Sequence, residues 1–403
     1  MPILRSKKMP TWILGIVLLS VGAAITGGII YAEQLNRHKS ELAEYIRMHP
    51  DTTAIVAYTI DEHGELVEDG RELFVNADKP LVVASTMKII ILAAYADAVA
   101  QGELDPDEQV TIAELERYYL PGTDGGAHVA GLKSLGLAAD VGGFARDQSA
   151  KIALDDIARI MIDNSGNAET DYLIGRLGVE RIASVMVLAK LENHTPLQPV
   201  LGITLALFNH EAPLTDTEQL QALIKAVANG DSSVLESLMN LYLSNPGWRA
   251  AQIAFMQSDE ILDISGQMGW AGQMAASQLF PKGTGREYAR LMAKIASDQF
   301  ISPDVSFRIQ QKLESVPSDW PLRLLFHRRY GAKDGVTAGV QTLASYAVPK
   351  YGRLAGRSRV VVVLTNELPY ETWQTQMQAQ GIYLLQTDLA RASGVFDRLD
   401  SSR

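Results

Sequence analysis

Cysteine is absent from the 403 residues. That excludes disulfides, thiol nucleophiles, cysteine-ligated zinc and a lipid-bearing N-terminal cysteine, so any nucleophile here is an oxygen or an amine. Positive charge is also short: 36 Lys and Arg stand against 47 Asp and Glu, a formal net charge of -11. No basic cluster follows the first few residues, and without one phosphates cannot be neutralised, so nucleic acid is not an expected partner. Histidine is sparse at seven, scattered, and never in the paired helical spacing of a zinc hydrolase, so neither a metal nor another cofactor is expected. Internal repeats and low-complexity tracts are lacking too, which argues against a solenoid or a disordered chain. With roughly average apolar and charged content, the chain reads as globular and long enough to bury a large core.

The clearest local signal that is present lies at the start. Arg5, Lys7 and Lys8 precede an uncharged apolar stretch from Thr11 to Ala32, about the ~20 residues a helix needs to cross a bilayer. Positive charge on the N-terminal side keeps that side cytoplasmic and puts everything after Glu33 outside. A cleaved signal peptide is the competing reading, but its apolar region is usually only ~7–15 residues. Residues 1–33 are therefore expected to form a cytoplasmic tip and single-pass transmembrane anchor. Residues 34–50 follow as a helical stalk or first packing helix, and 51–403 as one extracytoplasmic domain.

Within that domain, Thr53 to Ile60 is β-branched and apolar, Asp61 to Gly64 supplies a turn, and Leu66 to Val75 returns as a second strand. From Ser85 to Ala100 the sequence is apolar nearly all round, as a central buried helix should be. Helical segments are expected at Leu154 to Asp163, Ala168 to Leu177, Thr217 to Val227, Ser233 to Leu243 and Gly285 to Asp298. Strand character returns at Gly339 to Val348 and Arg359 to Thr365, and a helix-like stretch from Tyr370 to Leu399 closes the chain. The expected class is α+β: an antiparallel sheet of N- and C-terminal strands packed against a mainly helical middle.

Three short patterns can carry chemistry. Ser85-Thr86-Met87-Lys88 puts a hydroxyl and an amine three residues apart at a helix start, on one face. A serine needs a base within hydrogen-bond reach, and a lysine buried in an apolar helix can have its pKa lowered enough to serve. The tetrapeptide alone is weak, since about one S-x-x-K is expected by chance in such a chain, and it also reads as an N-cap serine with a solvated lysine. Its context, Ile-Ile-Ile-Leu-Ala-Ala after Lys88, is what argues for burial. Ser165-Gly166-Asn167 lies between two helical segments and reads alone as an ordinary turn. Lys333-Asp334-Gly335 begins the late strand region and reads alone as a polar strand start.

Together, in this order and setting, the three resemble the serine β-lactamase and penicillin-binding-protein superfamily, most closely its class A β-lactamase-like branch. The family pattern is S-x-x-K on a central helix, S-x-N on an interhelical loop and K-T-G on a strand. The run MIDNSGNAETDYLIGRLG fits the second, with Asp171 where the family often has Asn or Asp. The resemblance spans the chain after the anchor, apart from a long helical insertion around 191–280.

It implies that Ser85 forms an acyl-enzyme, that Lys88 helps activate it, that Ser165 relays a proton to the leaving nitrogen and that Asn167 binds the substrate amide. Lys333 would set the electrostatics of Ser165 and of a substrate carboxylate, with Gly335 beside it. The N–H groups of Ser85 and Val336 would hold the oxyanion.

Two departures stand out. Asp334 replaces the family's threonine, which puts carboxylate recognition in doubt. The E-x-x-L-N deacylation loop is absent, Glu211-Ala212-Pro213-Leu214-Thr215 being the nearest approach, so Glu211 is a candidate base on motif alone. The implied substrate is a β-lactam or a cell-wall peptide. The alternatives are a D,D-carboxypeptidase or penicillin-binding type, and a non-catalytic envelope-binding protein on the same scaffold. Oligomeric state is left open. Trp248, Trp270 and Met274 are expected in core packing or an apolar lid.

Overall fold

The computed structural model describes residues 33, 36–315 and 323–399. The span expected over 11–32 lies outside the described residues. Among the described residues no helix is long and apolar enough to cross a membrane.

Among the described residues ten strands follow in order: β1 (Thr53–Ile60), β2 (Leu66–Val67), β3 (Leu73–Val75), β4 (Leu81–Val82), β5 (Gln109–Thr111), β6 (Lys151–Ala153), β7 (Lys282–Gly283), β8 (His327–Thr337), β9 (Val340–Pro349) and β10 (Arg359–Thr365). The helices begin with α1 over 36–48. They continue with α2 (Lys88–Ala100), α3 (Ile112–Leu115), α4 (Ala127–Ser134), α5 (Leu154–Asp163), α6 (Asn167–Leu177), α7 (Val179–Leu188), α8 (Val200–Leu207) and α9 (Thr217–Ala228). Then come α10 (Ser233–Ser244), α11 (Pro246–Met256), α12 (Glu260–Ala276), α13 (Gly285–Ala296), α14 (Pro303–Leu313), α15 (Arg323–Phe326), α16 (Tyr370–Ala379), α17 (Gly381–Arg391) and α18 (Phe396–Leu399). The class is α+β, mainly helical, as expected.

The main sheet runs β2-β1-β10-β9-β8, with β3 also on β1, and every pairing in it is antiparallel. N- and C-terminal strands therefore share one sheet. β1 and β10 are buried along their whole length, because helices cover both faces. The period of two sorts their side chains: Ala54, Val56, Val360 and Val362 belong to the core shared with α2, α13 and α14, and Ile55, Ala57, Val361 and Val363 to the core shared with α1 and α17. Leu42, Ala43 and Ile46 of α1 are buried in that second core, so this part of 34–50 takes the packing-helix form.

Several expectations change in detail. The return strand over 66–75 is two short strands, since Gly70 needs a left-handed turn between them. The closing helix breaks at Gln380 and Ala392, both left-handed. Ser85 lies on a 3-10 turn, Ala84–Met87, that runs into α2. Lys88 to Val99 are all buried in α2. Around 191–280 the chain forms α8 to α12, which make two small cores of their own, one around Leu220 and Leu235 and one around Tyr242 and Trp248.

Candidate active site

The 3-10 turn that carries Ser85 is fastened to the sheet edge. Thr342 of β9 donates its hydroxyl to Val83 O (2.8 Å) and receives that of Thr86 (2.7 Å). β8 is the edge strand, and at Gly335 it runs so close that a Cβ there would lie 2.7 Å from Ser85 N and 2.7 Å from Val83 O. Both obstacles are backbone, so only glycine fits. Val336 follows at the free edge, partly exposed. Ala84, just before the serine, has φ of 46°, and Ser165 has φ of 65°. Such left-handed non-glycine backbone costs about 1–3 kcal/mol each and persists only where its surroundings impose it.

Lys88 is completely buried at the start of α2. Its Nζ donates to Ser165 O (2.5 Å), Gly166 O (3.2 Å) and Asn167 Oδ1 (3.0 Å), with Ser165 Oγ at 3.4 Å. The structure thus joins two of the three patterns directly: the lysine of the first holds the turn of the second. Thr170 Oγ1 caps that turn by donating to Gly166 O (2.6 Å). With its oxygen on Lys88, Asn167 keeps its amide N–H groups for another acceptor. Burial strips water from the Lys88 ammonium, Lys333 repels it, and Glu169, Asp171 and Asp124 oppose them; the pKa falls to about 7.

Lys333 lies mid-strand in β8, not at a strand start. It pairs across from Ala344, on the α2 face, whereas Asp334 pairs with Leu343 on the α17 face. The two side chains meet nevertheless, Lys333 Nζ to Asp334 Oδ1 at 2.9 Å. Burial pushes the Asp334 carboxyl up, but the Lys333 charge and hydrogen bonds from Lys333 and Tyr383 win and hold it below its usual value. The Asp334 carboxylate is therefore paired with Lys333, which it engages in turn.

Glu211 is exposed on the loop between α8 and α9, where its N–H donates to Asn209 Oδ1 (3.0 Å). Among the described residues, no hydrogen bond or ion pair joins it to Ser85, Lys88 or the 165–167 turn. Its candidacy rested on motif spacing, and α8 fills the segment ahead of it. Asp171, by contrast, is buried and accepts from Val200 N (2.8 Å) and Leu201 N (2.6 Å), fixing the start of α8. Burial pushes its pKa up to about 7 against those two N–H groups and Lys88. Met274 lies against Gly339 in the β8–β9 turn, and Trp270 Nε1 donates to Leu368 O (3.2 Å) in the segment after β10. Trp248 is core.

One cluster escaped the sequence reading. His128 of α4 is fully buried between Glu169 Oε1 (2.7 Å from Nδ1) and Glu116 Oε1 (3.1 Å from Nε2). Burial alone would lower its pKa, but the two carboxylates raise it to about 10. The imidazole is then a cation donating from both nitrogens. The three residues sit on three separate elements, so no spacing in the sequence advertises them.

The profile of the β-lactamase enzyme family matches residues 37–319. The chain therefore belongs to the β-lactamase enzyme family and is a serine hydrolase of β-lactamase type. Similar solved structures include a β-lactamase from Sphaerobacter thermophilus DSM 20745, with TM-score 0.49 and 14% identity over 84% of this chain and 90% of that one. PBP-A gives TM-score 0.49 and 16% identity over 90% and 96%. The TLA-3 extended-spectrum β-lactamase gives 0.49 and 10% over 90% and 98%. No curated protein matches the chain.

Proposed function

We propose that this protein is a membrane-anchored, extracytoplasmic hydrolase that opens β-lactams, or amides and esters related to cell-wall D-alanyl peptides, through an acyl-enzyme on Ser85. The observation that carries the reading is Lys88, a fully buried amine with a pKa near 7, three residues after the serine and bonded to the Ser165–Asn167 turn. At neutral pH a large share of it is an unprotonated base.

As the Ser85 Oγ–carbon bond forms, the hydroxyl proton passes to Lys88 Nζ and negative charge gathers on the carbonyl oxygen. The N–H groups of Ser85 and Val336 receive that charge. When the carbon–nitrogen bond breaks, the proton moves from Lys88 through Ser165 Oγ to the leaving nitrogen, which returns the amine to its starting state. Asn167 holds the substrate amide by its free N–H groups. Water then cleaves the ester and Ser85 recovers its proton. Arg5, Lys7, Lys8 and the apolar stretch over 11–32 support the address.

That no hydrogen bond or ion pair among the described residues joins Glu211 to this cluster favours a second reading, a penicillin-binding type that acylates readily and deacylates slowly. Incubation of the chain with a fluorescent penicillin and a chromogenic cephalosporin, beside Ser85→Ala, tests both. Ser85-dependent turnover supports the first and a stable label without turnover the second. An outcome with no label and no turnover contradicts β-lactams as substrates and leaves a non-β-lactam ester or amide, or a non-catalytic binding protein.

A further inference from the structure

The Glu116–His128–Glu169 cluster is costly to bury and has no part in the chemistry so far assigned. Its asymmetry indicates a role. Glu116 is saturated: besides His128, Oε1 accepts from Ala145 N (2.7 Å) and Oε2 from Gln148 Nε2 (2.5 Å). Glu169 is not. Its Oε1 is taken by His128, but its Oε2 is buried with no hydrogen-bond partner among the described residues.

That free oxygen is aimed at the serine–asparagine turn. A Cβ on Gly166 would collide with Glu169 Oε2, so the glycine is the gap through which the carboxylate reaches the peptide that Lys88 holds. Two carboxylates around one imidazolium leave one net negative charge, and with Glu116 fully satisfied that charge is least compensated at the turn. Lys88 faces the rest of its surroundings as follows: Glu169 and Asp171 from α6, Lys333 with its partner Asp334 from β8, Asp124 from the segment before α4, and Glu116 behind His128.

We propose that Glu169, clamped by His128 and Glu116, is a positioning residue for Lys88: the buried counter-charge under the Ser165–Gly166–Asn167 turn that holds the amine's proton after Ser85 gives it up. The role rests on the acyl-enzyme reading. In the acylation step one proton leaves Ser85 Oγ and one ammonium appears at Lys88, and Glu169 stabilises that ammonium without itself exchanging a proton. A carboxylate already fixed in place needs no reorganisation when the charge appears.

The test is the titration of Lys88 itself, followed by NMR of protein labelled at lysine Cε, with the Lys88 signal assigned from its loss in Lys88→Met. In Glu169→Gln the midpoint falls by about one pH unit, because a negative charge that favoured the ammonium is gone. Glu169→Asp, which keeps the charge, restores the midpoint, and Glu116→Gln shifts it in the same direction but less. A merely structural glutamate would lower stability and leave the midpoint alone, so an unmoved or raised midpoint in folded Glu169→Gln overturns the proposal. If that variant does not fold, Glu116→Gln decides by the same criterion. Since the readout needs no turnover, absence of a Ser85 adduct in the wild type would count against the acyl-enzyme reading separately.

Discussion

Two fully buried cations lie on opposite faces of the same sheet, and they have opposite fates. Arg359, at the start of β10, points into the α17 side, where it donates to Leu389 O (3.0 Å), Thr59 Oγ1 (3.2 Å) and Arg71 O (2.5 Å). Burial lowers its pKa to about 10, with Asp69 and Glu72 opposing, and it stays charged at any physiological pH. Lys88, on the α2 side, is desolvated too, but an amine starts lower and has Lys333 for a neighbour, so it arrives at about 7. The same desolvation leaves one cation charged and brings the other to a pKa near neutrality. What separates them is intrinsic proton affinity and the sign of the nearest charge.

Replacing each cation should break different things. Lys88→Met is expected to cut acylation of Ser85 by about 10²–10⁴-fold, the usual worth of a positioned base, as read from the rate of labelling by a fluorescent penicillin. Its effect on stability should depend on pH with a definite sign. The folded-state pKa lies below the unfolded one, so the wild type gains stability as pH rises from about 7 to about 10.5. The stability of Lys88→Met relative to the wild type therefore falls over that window in denaturant unfolding.

Arg359→Met removes a buried charge whose partners are left behind, and should cost about 3–5 kcal/mol of unfolding free energy. The pH at which acylation switches on should not move. Next in size is Gly335→Ala. Its Cβ would press on Ser85 N and Val83 O, and forcing the serine off by a fraction of an ångström should slow acylation by about 10²-fold. The melting temperature tracks the overpacking separately.

A comparable effect concerns His128, whose shift runs the other way. Its folded pKa is raised to about 10, so its stabilisation is complete below about pH 6.5 and is lost as pH rises through 10. His128→Gln should accordingly cost up to about 3 kcal/mol in acid and progressively less in base. A pH-independent cost would mean that the imidazole is not a cation in the fold.

The legible parts of the molecule are those where local pattern and burial agree. β1 and β10 are β-branched runs buried on both faces, and α5 and α9 have a clean 3.6 period, so their limits were readable to within a residue. β8 was not, because HRRYGAKDGVT has two glycines, six charged or ionisable side chains and no apolar run. It is a strand because β9 pairs with it, a tertiary cause. α14 was missed although Ser302 caps it and Pro303 opens it, a start signal the reading passed over. At the candidate site, the meeting of Lys88 with the Ser165–Asn167 turn joins two patterns that are each local in sequence. The Glu116–His128–Glu169 cluster and the pairing of Lys333 with its own neighbour were not legible, since both depend on how distant elements pack.

On the proposed mechanism Lys88 is a base poised at neutral pH for Ser85. The most direct test is the pH dependence of the acylation rate constant between pH 5 and 9, with the adduct located by mass spectrometry. The account predicts an adduct on Ser85 whose rate of formation rises with pH through a midpoint near 7 and then levels off. A rate that does not change across that range, or no adduct on Ser85 at all, would contradict it.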